Sequence, residues 1–255
     1  MLRKLIKYEL KCTARYLIPM FAALICLAVI SRIILSITAL GNGVSLITML
    51  LDSTFFMVTI VFTAASFIVQ IIQYYKSMVT DEAYQTFSLP VNVESLTKAK
   101  LLASLICNVS TIAVVCASAR IMTGSAASGV ENFLKELELF AAQLKLNTAV
   151  LIVFGIFMLL LTLVMYHLFI QASISIGQTF ENNKIGFTFA AGILLYLAAL
   201  IIMLLGVVII GMLAEPESIE YLQAMGIFLV IFMLTINVIM YCITNYIFRK
   251  KLNLE

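Results

Sequence analysis

The chain has 255 residues, of which 63% are hydrophobic and only 11% charged, with a mean hydropathy of +1.12. Soluble domains carry about 25% charged residues, so a water-facing surface wrapped around one core is excluded, and the solvent for most side chains is lipid. The net charge of +3 is small, and it is its distribution along the chain that is informative.

The opening stretch, MLRKLIKYELKCTARY, predicts a cationic amphipathic helix over residues 1–16. At helical spacing Lys4, Lys7, Lys11 and Arg15 fall within about 80° of one another, and Leu2, Leu5, Ile6, Thr13 and Tyr16 lie opposite. Such a helix suits the cytoplasmic membrane face, where each Lys or Arg near anionic lipid contributes about 1 kcal/mol. Glu9 interrupts its apolar side. A carboxylate there requires a cationic partner, either from the loop after the second span, with Lys98 as the candidate, or from another protein. Charge continues to Arg15 and no small-residue cleavage site precedes Arg32, so the segment is expected to stay in the mature chain.

A spanning helix needs about 20 mostly apolar residues. Six stretches qualify, at roughly 17–40, 53–75, 101–122, 147–177, 186–213 and 224–248. Period-two alternation is absent and the runs are too long for strands, so the expected fold is all-α, a polytopic membrane protein forming one transmembrane domain over 1–255. Twelve Lys and Arg residues fall on the side that holds both termini, against Lys135 and Lys145 on the other. Both termini are therefore expected in the cytoplasm. Arg32 and Arg120 lie inside apolar runs, close enough to their ends to snorkel to the outer headgroups.

On this topology YYKSMVTDEAYQTFSLPVNVESLTKAK, from Tyr74 to Lys100, is a cytoplasmic loop between spans two and three. Thr80 predicts a helix N-cap, Asp81 and Glu82 occupy the first turn where the helix dipole favours anions, and Pro90 ends the element, giving a short helix over about 80–89. Tyr84 and Phe87 project from it, either into the lipid interface or into a groove on a partner. Asn92 is placed to cap the third span, with Glu94 in its first turn. The outer loops are expected at 41–52, 123–146 and 214–223. The middle one contains VENFLKELELFAAQLKL, which sets Phe133, Leu134, Leu137, Phe140, Ala141 and Leu144 on one face of an amphipathic helix that lies on the outer surface or caps the bundle.

Polar side chains inside spans usually face the bundle interior. Gln70, Gln73, Asn108, His167 and Gln171 cluster by depth near the cytoplasmic end, as an inward-opening cavity or as interhelical clamps worth about 0.6 kcal/mol each. The small pairs Ala113/Ala117 and Ser173/Gly177, at spacing four, favour close helix packing. The cysteines at 12, 26, 107, 116 and 242 show no metal-ligand spacing and read as packing residues. No phosphate-binding, metalloprotease or nucleophile-elbow motif occurs, and the lone His167 has no acidic or thiol partner nearby in the sequence. No catalytic or metal residue is expected, and no acidic residue lies at mid-span to carry protons.

A basic amphipathic N-terminal helix, six spans, a short helix between spans two and three and an outer amphipathic insertion resemble the layout of ABC transporter type-2 permeases. YYKSMVTDEAYQTFSLPVNVESLTKAKLL and SIGQTFENNKIGF are similar to the corresponding stretches of small bacterial members. The resemblance implies that the short helix is a coupling helix docking on a separate ATPase subunit, with Asp81, Glu82, Tyr84 and Phe87 as its contacts and Glu9 near them. ATP and Mg would belong to that partner chain, and a second permease, identical or related, would complete the pathway. The expected function is the permease subunit of an ATP-driven exporter of an amphipathic cargo (antimicrobial peptide, drug or lipid-like molecule) in a bacterial cell membrane. No nucleic-acid partner is expected. The alternatives are an anchor and signalling subunit that senses through the outer helix, and a passive membrane protein with no ATPase partner.

Overall fold

The computed structural model describes residues 2–38, 44–80, 83, 91–123, 127–144, 146–180, 183–213, 215 and 218–250. Among them are seven α-helices and no strand: α1 Leu2–Thr38, α2 Val44–Val79, α3 Val93–Thr123, α4 Ala127–Gln143, α5 Thr148–Gly177, α6 Lys184–Leu213 and α7 Ile219–Lys250. All but α4 are long and apolar enough to cross a membrane. The chain is a multi-pass membrane protein, and helices are its answer to a solvent that cannot hydrogen-bond the backbone. The same pressure acts on hydroxyls. Thr59, Thr63, Thr111, Thr235 and Thr244 each donate to the carbonyl four residues back in their own helix.

Two boundaries differ from the sequence expectation. The described part of the amphipathic stretch, from Leu2, and the first span form one continuous helix of 37 residues with Pro19 inside it. Its length, about 55 Å, exceeds the ~30 Å hydrocarbon layer. Residues 44–52, expected as a loop, are the first turns of α2, because VSLITMLLD contains neither Gly nor Pro to break a helix. Elsewhere the local chemistry acts as read. The Asn92 carbonyl accepts from Ser95 and Leu96 at 2.9 and 3.2 Å, the bonding of an N-cap residue. Asn147 caps α5, its side chain accepting from the Ala149 amide at 2.9 Å.

The chain divides into two compact units: Met1–Ser77 with Lys98–Glu131, and Met78–Thr97 with Asn132–Glu255. In the first, α1 buries Thr13, Leu17, Leu24, Ala28 and Ser31, a single stripe at helical spacing. Phe21 and Phe62 join α1 to α2, their ring centroids 6.0 Å apart. Lys4, Lys7, Lys11 and Arg15 are exposed on the side of α1 away from this stripe, and Arg3 is exposed as well. Ala113 and Ala117 are exposed as well, so the expected close packing at that pair is not made within the chain.

In the second unit α5 packs against both α6 and α7. Ser173 and Gly177 do form a close helix contact: Gly177 abuts the Thr188 backbone, and Ser173 stands opposite Gly192 on α6. Gly206 lies against the Phe228 ring. Just before α6, Asn183 has φ 59°, and the Phe180 and Phe187 rings are stacked at 4.0 Å; Asn is among the residues that tolerate this backbone region. Along α4, Ala141 is buried and Leu137 half-buried, and Leu144 is buried just beyond its end, whereas Leu134 and Phe140 are exposed. Its buried face is narrower than expected, and the Phe133 side chain lies outside the described residues.

Gly177→Ala should lower the thermal unfolding temperature in detergent, because a Cβ there meets main-chain atoms of Thr188 and overpacking costs ~1–3 kcal/mol. Gly155→Ala, with nothing within 4 Å of the added methyl, should leave that temperature unchanged or raise it, alanine being the better helix former by ~1 kcal/mol.

Candidate functional site

Glu9 lies on the stripe of α1 that continues as Thr13 and Leu17. A carboxylate is thereby drawn into the packed side of the helix. Its partner is Lys100 of α3, with Nζ 2.5 Å from Oε1 and side chains 3% (Lys100) and 13% (Glu9) exposed. The expected loop residue, Lys98, stands two positions earlier and so about 200° round the helix. Lys100 instead shares the buried face of α3 with Ala103 and Cys107. Sequence reading required a cation for Glu9 and offered two sources; the chain itself supplies it, from the lysine two positions beyond the expected one.

The ammonium has a second anchor. Lys100 Nζ donates to Ser77 Oγ at 2.6 Å, and that hydroxyl donates to the Tyr74 carbonyl at 3.0 Å. The Tyr74 ring centre is 6.0 Å from Nζ, at the edge of cation–π range. Thr13 closes the α1 side by donating to the Glu9 carbonyl at 3.1 Å. One buried cation therefore fastens α1, α2 and α3 together. Ser77 and Lys100 are both engaged in this tie, the hydroxyl proton being directed at a carbonyl rather than at a cleft.

Two turns along, Gln70 Nε2 donates to Asn108 Oδ1 at 2.8 Å. Of the two readings of these polar residues, the clamp is present here, between α2 and α3. Gln73, on the same helix as Gln70, is half-buried. His167 and Gln171 are buried on α5, in the other unit. The five residues expected at a shared depth thus belong to two units, three in one and two in the other. Sequence reading missed Asn237 and Asn245, buried on α7 in the same unit as His167 and Gln171. The signal was available in TINVIMYCITNY, where Asn237, Tyr241 and Asn245 recur at spacing four.

Asp81, Glu82, Tyr84 and Phe87, the expected coupling contacts, lie outside the described residues. The ends of their segment are described. Gln178 Nε2, just past α5, donates to the Met78 carbonyl at 3.3 Å, and Arg249 of α7 pairs with Glu94 at 2.5 Å. Ala83 is buried and its amide donates to the Thr80 carbonyl at 2.7 Å. Among the described residues no three His, Cys, Asp or Glu side chains gather as a metal-ligand set.

Comparison with known protein families, with curated proteins and with solved structures finds no match for this chain.

Removing one member of a buried ion pair leaves an uncompensated charge, at a cost of about 3–5 kcal/mol. Lys100→Leu and Glu9→Leu should each destabilise the protein on that scale, and the double variant by less than the sum, in a double-mutant cycle read by denaturation in detergent. Arg249→Ala removes an ion pair whose side chains are 55% and 43% exposed. Its effect should stay within about 1 kcal/mol and fade at high salt.

Proposed function

We propose that this chain is the membrane-spanning permease subunit of an ATP-driven ABC exporter, with ATP hydrolysis in a separate partner chain. The observation that carries the reading is the fastening of the segment 78–97 and its flanks. Met78 and Glu94, near its two ends, are each held by a side chain at the end of a long helix. Ser77 and Lys100, which bracket it, are hydrogen-bonded to one another, and Lys100 is paired with Glu9. A loop that only joined two spans needs no such anchorage. A loop that receives a push from outside does, because a force applied to a slack segment moves the segment and not the helices. The acidic and aromatic residues Asp81, Glu82, Tyr84 and Phe87 supply anchors of the kind that concentrate binding energy at interfaces.

In this reading Glu9 serves the coupling region by holding α1 to the same lysine as α2, rather than by touching the ATPase. Two permeases, identical or related, would form the pathway in a bacterial cell membrane with both termini in the cytoplasm, and the cargo would be amphipathic. The signalling alternative draws on α4, which exposes Leu134, Leu139 and Phe140 as a surface for a ligand. Cargo flux across proteoliposomes separates the two readings.

The test is affinity capture of the tagged chain from native membranes in mild detergent, with identification of co-eluting proteins and assay of ATP hydrolysis. An ATP-hydrolysing protein should co-elute. Tyr84→Ala/Phe87→Ala should weaken its retention by roughly thirtyfold if the two aromatics together contribute about 2 kcal/mol. Absence of any ATP-binding protein from well-folded wild type would remove the energy source and with it the exporter reading.

A further inference from the structure

The cations at the start of α1 take no part in the tie around Glu9. Lys4, Lys7, Lys11 and Arg15 are exposed on one face, and none makes an ion pair with a described residue. Glu9, the one acid on α1, lies on the packed side and is taken by Lys100. The basic face therefore carries uncompensated charge among the described residues.

The same face continues along the helix with a different chemistry. Ile18, Ala22, Cys26, Val29 and Ile33 are all exposed. At 100° per residue they fall within about 80° of one another, in line with the basic four. In a multi-pass membrane protein such an apolar stripe faces lipid tails. The change from Arg15 to Ile18 takes only about 4.5 Å. Between them Tyr16 is 50% exposed, an aromatic of the kind that marks a membrane–water boundary. The edge of the hydrocarbon layer thus crosses α1 here, and the cations stand over the headgroups of the lipids that the stripe touches. A second copy of the chain does not suit this face, because a two-fold contact would set its cations against like charges at the same heights.

Height along the helix ranks the four cations. Measured outward from Ile18, Arg15 lies at about 4.5 Å, Lys11 at about 10 Å, Lys7 at about 16 Å and Lys4 at about 21 Å. The headgroup layer is about 5–7 Å deep on each side. Arg15 is inside it, and Lys11 returns its ammonium to it along a flexible stem. Lys7 and Lys4 lie beyond, where the surface field decays over a Debye length of ~8 Å. A separate helix lying flat on the membrane would engage all four alike; the continuous α1 engages the two nearest the span. We propose that Arg15 and Lys11 bind the headgroups of anionic lipids in the leaflet at this end of α1. The proposal does not depend on a partner ATPase.

The test is thermal unfolding of the full chain in a neutral detergent, titrated with phosphatidylglycerol or with phosphatidylcholine. A lipid bound only by the folded state raises the unfolding temperature progressively above its dissociation constant. The rise should occur with phosphatidylglycerol, not with phosphatidylcholine, and should vanish at about 1 M salt, where the Debye length is about 3 Å. Arg15→Gln and Lys11→Gln should each raise the half-maximal phosphatidylglycerol concentration about fivefold, and Lys7→Gln and Lys4→Gln by less than about twofold. If a variant fails to fold, the lipid selectivity and salt dependence of the wild type carry the test. An equal response to the two lipids, a rise that survives high salt, or losses as large at Lys4 and Lys7 as at Arg15 and Lys11 would overturn the proposal. The basic face would then be left to an acidic protein surface.

Discussion

A carboxylate and an ammonium can be removed from water in a protein of this composition only if they are removed together, and that condition fixes how the first three helices meet. Alone, either group carries a desolvation penalty of several kcal/mol. Paired at 2.5 Å, with Ser77 taking a second ammonium donor, the two charges are compensated in a single geometry. Apolar faces in lipid have no comparable preference, since lipid tails are as apolar as leucine and sliding one helix along another changes little. The pair supplies the register that the hydrophobic effect cannot.

The same scarcity of partners explains the hydroxyls. Thr and Ser side chains along the spans turn back onto their own helices, which satisfies the donor and leaves the helix surface without a demanding polar group. Amides cannot do this completely, because each carries an acceptor as well as a donor. Gln70 resolves half of the difficulty by reaching Asn108 on another helix. Gln70 Oε1 and, on α5 and α7, the side-chain oxygens of Gln171, Asn237 and Asn245 are buried with no partner among the described residues. By contrast α6 buries only Ala191 of its 30 residues, and such a helix carries little information beyond its fitness for lipid.

Much of the architecture was legible from the chain alone. The six spans follow from the length of apolar runs against the thickness of a bilayer, and the Asn92 start of α3 from capping chemistry. The failures lie where continuity or pairing decides. No residue near position 16 announces that the amphipathic helix and the first span are one; helix propagation past Pro19 is a matter of what surrounds it. The small pair Ser173/Gly177 packs and Ala113/Ala117 does not, although both have the same spacing, because only the first faces another helix.

Glu9 marks the division. Its position on the apolar side of an amphipathic helix determined, from the sequence by itself, that a cation must meet it, since the cost of an unpaired buried charge is independent of fold. Which cation could not be read. Lys98 and Lys100 are equivalent in composition, in charge and in distance along the chain, and differ only in the direction each leaves α3. That direction acquires meaning once α1 and α2 occupy one side of the helix, and Lys100 is the residue facing them.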